Sequence, residues 1–148
     1  MSSASSENAG ADHSAHDITA SVRIHAAPEV VFPYLTDASL VVRWIGEWAE
    51  LDPVPGGLFA LNVESAVARG TFLVVQPPRR VVFSWGTPGS QRMPPGSTTV
   101  EITLTADGDG TLVELVHRGL PVDEREPHTR GWTTFLGQLR DLTWARLP

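Results

Sequence analysis

The stretch TTVEITLTADGDGTLVELVHRGLP, Thr98 to Pro121, and its continuation VDEREPHTRGWTTFLGQLRDLTWAR, Val122 to Arg146, decide the fold. In the first part, Val100, Ile102 and Leu104 alternate with Glu101 and Thr103. Successive side chains of a strand point to opposite faces, so this period of two reads as a half-buried strand. DGDG at Asp107 to Gly110 is a hairpin signal, and Thr111 to Arg118 returns as the paired strand. Beyond Pro121 the period changes. Trp132, Phe135, Leu136, Leu139, Leu142 and Thr143 recur at three and four, which predicts an amphipathic helix over about 124–146. Asp123, Glu124 and Glu126 lie at its positive end, Arg140 and Arg146 near its negative end, and Pro127 suits its first turn.

Upstream, Ile18, Ala20, Val22 and Ile24 alternate with Thr19, Ser21 and Arg23 in a first strand. Pro28 can open a short helix through Val30, Val31, Phe32 and Leu35, which Pro33 shortens by removing a backbone donor. Asp37 or Ser39 can cap a second short helix through Leu40, Val41, Trp44 and Ile45. After a turn at Pro53, Pro55, Gly56 and Gly57, strands are expected at Leu58–Glu64, Gly70–Val75 and Val81–Trp85. A short link at Ser65–Ala68, the break at Pro77 and Pro78, and the loop GTPGSQRMPPGS at 86–97 separate them. Strands at hairpin spacing make an antiparallel sheet. The fold class is therefore α+β: a curved antiparallel sheet of about six strands wrapped around a long C-terminal helix, with two short helices after the first strand. A space between sheet and helix would suit a small molecule.

Residues 1–16 are Ser, Ala, Asn, Gly and His with acidic punctuation, a composition that buries too little to order itself; they read as a disordered tail. Residues 17–148 read as a single domain. His13 and His16 lack a third metal ligand. The N-terminus has no basic region followed by an apolar one, so no secretory signal is expected, and no apolar run is long enough to insert in a membrane. A cytoplasmic location is the default.

A net charge of −6 argues against nucleic-acid or anionic-membrane partners. The absence of cysteine removes disulfides, thiolate catalysis, iron–sulfur clusters and cysteine zinc sites. All eleven basic residues are arginine, which excludes a lysine Schiff base and a Walker A lysine. No H-E-x-x-H, G-x-S-x-G, G-x-G-x-x-G or EF-hand pattern occurs, and neither cofactor nor metal is expected.

Five segments, in order, resemble one family: VFPYLTDASLVVRWIG (Val31–Gly46), PGG (Pro55–Gly57), QPPRRVVFSW (Gln76–Trp85), TADGDGTLVELVHRGLP (Thr105–Pro121) and HTRGWTTFLGQL (His128–Leu139). Together they are similar to the activator of Hsp90 ATPase homologue family, within the START-like, Bet v 1-like (SRPBCC) superfamily. The resemblance implies a helix-grip domain at 17–148 with a cavity under the long helix. The sequence departs from the family pattern in three places. Trp48 is displaced from the usual adjacent tryptophan pair, Pro33 stands in a helix, and the hairpin after Leu61 is short.

His117 shares a strand face with Val113 and Leu115, which would aim its imidazole at that cavity; the resemblance places it in a recurring His-x-Gly-Leu stretch. It could bond a ligand or act as a general base; a core histidine bonded to a carbonyl or to the long helix is favoured. Trp44, Trp48, Phe59, Phe72, Phe83, Trp85, Trp132 and Phe135 are candidates for a ligand-binding lining, although most should be ordinary core. His128, four residues before Trp132, could close the pocket. Asn62 and Glu64 are expected to be solvated, as are Arg79 and Arg80.

Binding or carrying of a lipophilic small molecule is the leading function. Two alternatives remain: a polyketide aromatase or cyclase-like enzyme using His117, and an Hsp90-related or stress-response interaction protein. A homodimer is possible. An enzyme is the weaker expectation, because Tyr34 is the only tyrosine and the case rests on His117.

Overall fold

The computed structural model describes residues 17–144. The expectations for the tail at 1–16 and for Arg146 lie outside the described residues. The first strand, β1 (Ile18–Ile24), is followed by three single helical turns, α1 (Pro28–Val31), α2 (Pro33–Thr36) and α3 (Ala38–Val41). The sequence predicts two. Pro33 splits the first into α1 and α2, since it has no N–H to continue the hydrogen-bond ladder. Asp37 caps α3, its carboxylate accepting from Ser39 N at 2.9 Å.

A six-strand meander follows: β2 (Ala49–Leu51), β3 (Leu58–Val63), β4 (Ala66–Gln76), β5 (Arg80–Trp85), β6 (Thr98–Asp107) and β7 (Gly110–Arg118). The helix α4 (Val122–Arg140) ends the order. Every strand pair is antiparallel, and the order across the seven-stranded sheet is β1-β7-β6-β5-β4-β3-β2. β1 and β2 therefore occupy opposite edges, and α1 to α3 carry the chain between them.

The sheet has one strand more than the sequence predicts, because β2 is three residues long and pairs only with β3. β4 also begins earlier than expected. The link after β3 is only Glu64 and Ser65, and Glu64 adopts a positive φ of 55°. Within β4 the register to β5 shifts between Phe72 and Val74, a bulge that bends the strand. At Gly70 the backbones come so close that a Cβ would lie 2.0 Å from Ser84 O. Thr71 N donates to Ser84 Oγ at the same point, so a side-chain hydroxyl replaces a ladder partner.

α4 starts at Val122 and stops at Arg140, short of the predicted end. Asp141 caps it through N–H bonds to Gly137 O and Leu139 O. Beyond the cap the chain folds back, and Trp144 buries its ring edge-on to Tyr34 while its Nε1 donates to Leu139 O. Burial of that indole outweighs one more helical turn. α4 packs along β1 and presents Trp132, Leu136 and Leu139 to the sheet. The facing residues come from alternate positions of the strands, including Val100, Ile102, Val113 and Leu115. The result is a helix-grip architecture: a curved open sheet gripping its C-terminal helix.

Candidate functional site

One end of the interface between sheet and α4 is not filled. A cavity of about 450 Å³ opens there. Trp85 of β5 forms one wall, Trp132 and Phe135 of α4 another, and the β3–β4 hairpin contributes Val63, Val67 and Ala68. Met93, Thr87 and Ser90 close it from the loop 86–97. That loop closes on itself at Gly86, where a Cβ would lie 1.9 Å from Pro94 O, and at Thr87 N, which donates to Met93 O, and it is tied to β4 by Arg69 N, which donates to Gly86 O. Arg92 ties the loop to the start of α4 through ion pairs with Asp123 and Glu124.

Trp85 and Trp132 form a partition. On their far side is a void of only about 10 Å³, lined by Trp44, Phe59 and Phe83. Such a void holds at most one water, so these three rings pack as core. Phe59 stacks on Phe83 at 3.9 Å, and Trp44 Nε1 donates to Tyr34 O. Phe72 is wholly buried in the same cluster. Trp48 lies on the surface, 44% exposed. Of the ten candidates named from sequence, four meet at the cavity: Trp85, His128, Trp132 and Phe135.

His117 does not line the cavity; it lies behind the partition, fully buried. Trp132 Nε1 donates to its Nδ1 at 3.0 Å. Thr98 Oγ1 donates to Trp85 O at 2.8 Å and lies 2.8 Å from His117 Nε2. Since the single hydroxyl proton of Thr98 is committed to Trp85 O, Nε2–H must be the donor to Thr98 Oγ1. Both ring nitrogens are thus engaged, and the imidazole is the neutral Nε2–H tautomer. Burial pushes its pKa down to about 3, and His128 nearby acts in the same direction. The inward direction expected from strand alternation is observed, and the bonding partners are the Trp132 indole on the long helix and the Thr98 hydroxyl, with Trp85 edge-on to the ring.

His128 lines the cavity from α4. Its Nδ1 lies 2.9 Å from Glu124 O, one turn back. A carbonyl only accepts, so Nδ1 carries the proton. Nε2 has no hydrogen-bond partner among the described residues. Glu64 and Glu124 supply the charged part of the lining. Glu64 sits in the turn held by Asn62, whose Oδ1 accepts from Glu47 N and Trp48 N and whose Nδ2 donates to Glu64 O. From the sequence Glu64 is expected to be solvated, with an inward acid–base pair to His117 as the weaker alternative, and Glu124 is not flagged, because a first-turn helix residue carries no signal of what it borders. Arg80 pairs with Glu101 across the sheet, away from this site. Among the described residues no group of three or more His, Asp or Glu could hold a metal ion. No helix among them is long and apolar enough to cross a membrane.

The profile described as Activator of Hsp90 ATPase homolog 1-like protein matches residues 25–143. The chain belongs to that family. Solved structures of family type agree with the fold. An AHSA1-like protein of Rhizobium etli is 41% identical, with 88% of this chain and 82% of that one covered and a TM-score of 0.69. CalU16 of Micromonospora echinospora is 32% identical, with 87% and 69% covered and a TM-score of 0.71. An HSP90 activator of Plasmodium falciparum is 25% identical, with 84% and 93% covered and a TM-score of 0.68. Comparison with curated proteins finds no match.

Proposed function

We propose that this domain of the activator of Hsp90 ATPase homologue family binds a lipophilic aromatic small molecule between its sheet and α4. The observation that carries this reading is the cavity of about 450 Å³ walled by Trp85, Trp132 and Phe135. Small-molecule sites are concave, mostly apolar and within roughly 300–1,000 Å³, with a few polar groups to orient the ligand. The two indoles offer flat faces, and the hydrogen bonds through His117 fix Trp132 in place before any ligand arrives. Carrying or sequestering such a molecule needs nothing more.

The test is to compare native and denaturing mass spectra of freshly purified protein, then titrate it with N-phenyl-1-naphthylamine and read tryptophan fluorescence. Saturable quenching that disappears in Ala66→Trp, which fills the cavity from an exposed position, is the expected result. Equal quenching in Ala66→Trp would overturn the reading.

An aromatase- or cyclase-like reaction routed through His117 is weaker, because that ring is buried and both its nitrogens are engaged. An interaction with an Hsp90-type chaperone draws on family membership and on the exposed Trp48 and Val54. Capture by purified Hsp90 that is lost in Trp48→Ser, with the naphthylamine site intact, would favour it.

A further inference from the structure

The charged and imidazole groups that line the cavity present acceptors. His128 Nδ1–H is committed to Glu124 O, which leaves Nε2 as a lone-pair acceptor on a side chain that lines the cavity. Glu64 and Glu124 add carboxylate acceptors. Among the described residues no arginine lines the cavity, and the chain has no lysine. Arg92, on the loop that closes the site, is tied to Asp123 and Glu124. Thr87 and Ser90 hydroxyls can act either way. A ligand entering this site therefore meets aromatic faces, two carboxylates and an acceptor nitrogen, while the neighbouring Arg92 is already paired with Asp123 and Glu124.

We infer that the cavity selects aromatic molecules that carry a hydrogen-bond donor, a hydroxyl or a protonated amine, and rejects aromatic carboxylates. The inference rests on the cavity being a ligand site and adds the ligand's polarity to it. His128 Nε2 is the anchoring acceptor; Glu64 and Glu124 favour a cationic donor and repel an acid. A carboxylate placed there would lose its hydration without gaining a charged partner. A donor on the ligand would instead engage Nε2, which has no hydrogen-bond partner among the described residues.

The probes are naphthalene, 2-naphthol, 2-naphthylmethylamine and 2-naphthoate at pH 7.5, measured by tryptophan quenching and calorimetry on the full chain. Naphthol and the amine should bind up to about tenfold tighter than naphthalene, the worth of one hydrogen bond. Naphthoate should bind no better than naphthalene. In His128→Phe and His128→Gln, checked for folding by circular dichroism, the ratio of naphthol to naphthalene affinity should fall to about one in the Phe variant and only part of the way in the Gln variant, whatever either change does to naphthalene itself. Glu64→Gln should strengthen naphthoate. Naphthoate binding as tightly as naphthol, or a naphthol advantage unchanged in His128→Phe, overturns the donor rule and leaves the pocket standing. Failure of all four probes overturns both.

Discussion

Trp132 Nε1 donates to His117 Nδ1 at 3.0 Å, and this bond couples a cavity wall to the sheet behind it. The chain of donors continues through His117 Nε2 to Thr98 Oγ1 and from there to Trp85 O. His117 thus acts on the cavity by holding the indole of Trp132 directly and, through Thr98, the backbone carbonyl of Trp85. His117→Phe keeps the volume and removes both bonds, leaving the indole N–H of Trp132 buried without an acceptor. The expected cost is about 2–3 kcal/mol in urea denaturation at neutral pH. A change under about 0.5 kcal/mol would show that the imidazole does not hold Trp132.

Acid should weaken the fold well before the carboxylates titrate. The His117 imidazole has a pKa of about 3 when folded, against an ordinary value of 6.5. Between these values the unfolded chain binds a proton that the folded chain refuses. This contribution to stability is complete above pH 6.5 and is lost progressively as the pH falls towards 3. At pH 5 the loss is about 2 kcal/mol relative to pH 8. Urea midpoints across pH 5–8 measure it, and His117→Phe should flatten the profile in that range.

Gly70→Ala should destabilise strongly although it adds one methyl group. The new Cβ would lie 2.0 Å from Ser84 O, a backbone atom fixed by the β4–β5 pairing. Forcing the two strands apart costs about 1–3 kcal/mol or more. Gly89→Ala, in open space at a φ of +84°, provides a contrast in which backbone strain acts alone. A thermal melt in which Gly70→Ala matches the wild type would mean that the strands can separate freely there.

Glu101 bridges Arg80 on β5 and Arg118 on β7, and the two guanidinium hydrogen bonds hold its carboxyl below the ordinary range. Both arginines are substantially exposed, so solvent screens the gain. Glu101→Gln is expected to cost no more than about 1 kcal/mol, and less in 1 M salt. A larger, salt-independent loss would point to a packing role for this side chain.

Period-two alternation placed β1, β6, β7 and the inward direction of His117, because those strands have one wet and one dry face. It missed β2, since Ala49, Glu50 and Leu51 are too few to display a period. It shortened β4, since Arg69 and Gly70 interrupt the apolar run where the backbones come close. Of the site, the aromatic wall at Trp85, Trp132 and Phe135 was legible. The aliphatic wall at Val63, Val67 and Ala68 was not, because a residue facing an empty cavity has the same sequence signature as one facing a filled core. For His117 the sequence favours a partner on the long helix or a carbonyl but names neither Trp132 nor Thr98, because alternation gives a direction and only the packed structure supplies the indole and the hydroxyl.

The strand order has a consequence for how the chain assembles. Ile18 pairs with His117, so the first strand finds its only sheet neighbour in the last one. A ribosome releasing this chain would present β1 without a partner until nearly the whole domain had emerged. The meander from β2 to β7 can zip through local hairpins, whereas docking of β1 and α4 must close the longest loop in the molecule. The N-terminal edge would thus be the last to lock, and a chain stalled before β7 would leave β1 unpaired and expose the β6 edge that β7 is meant to cover.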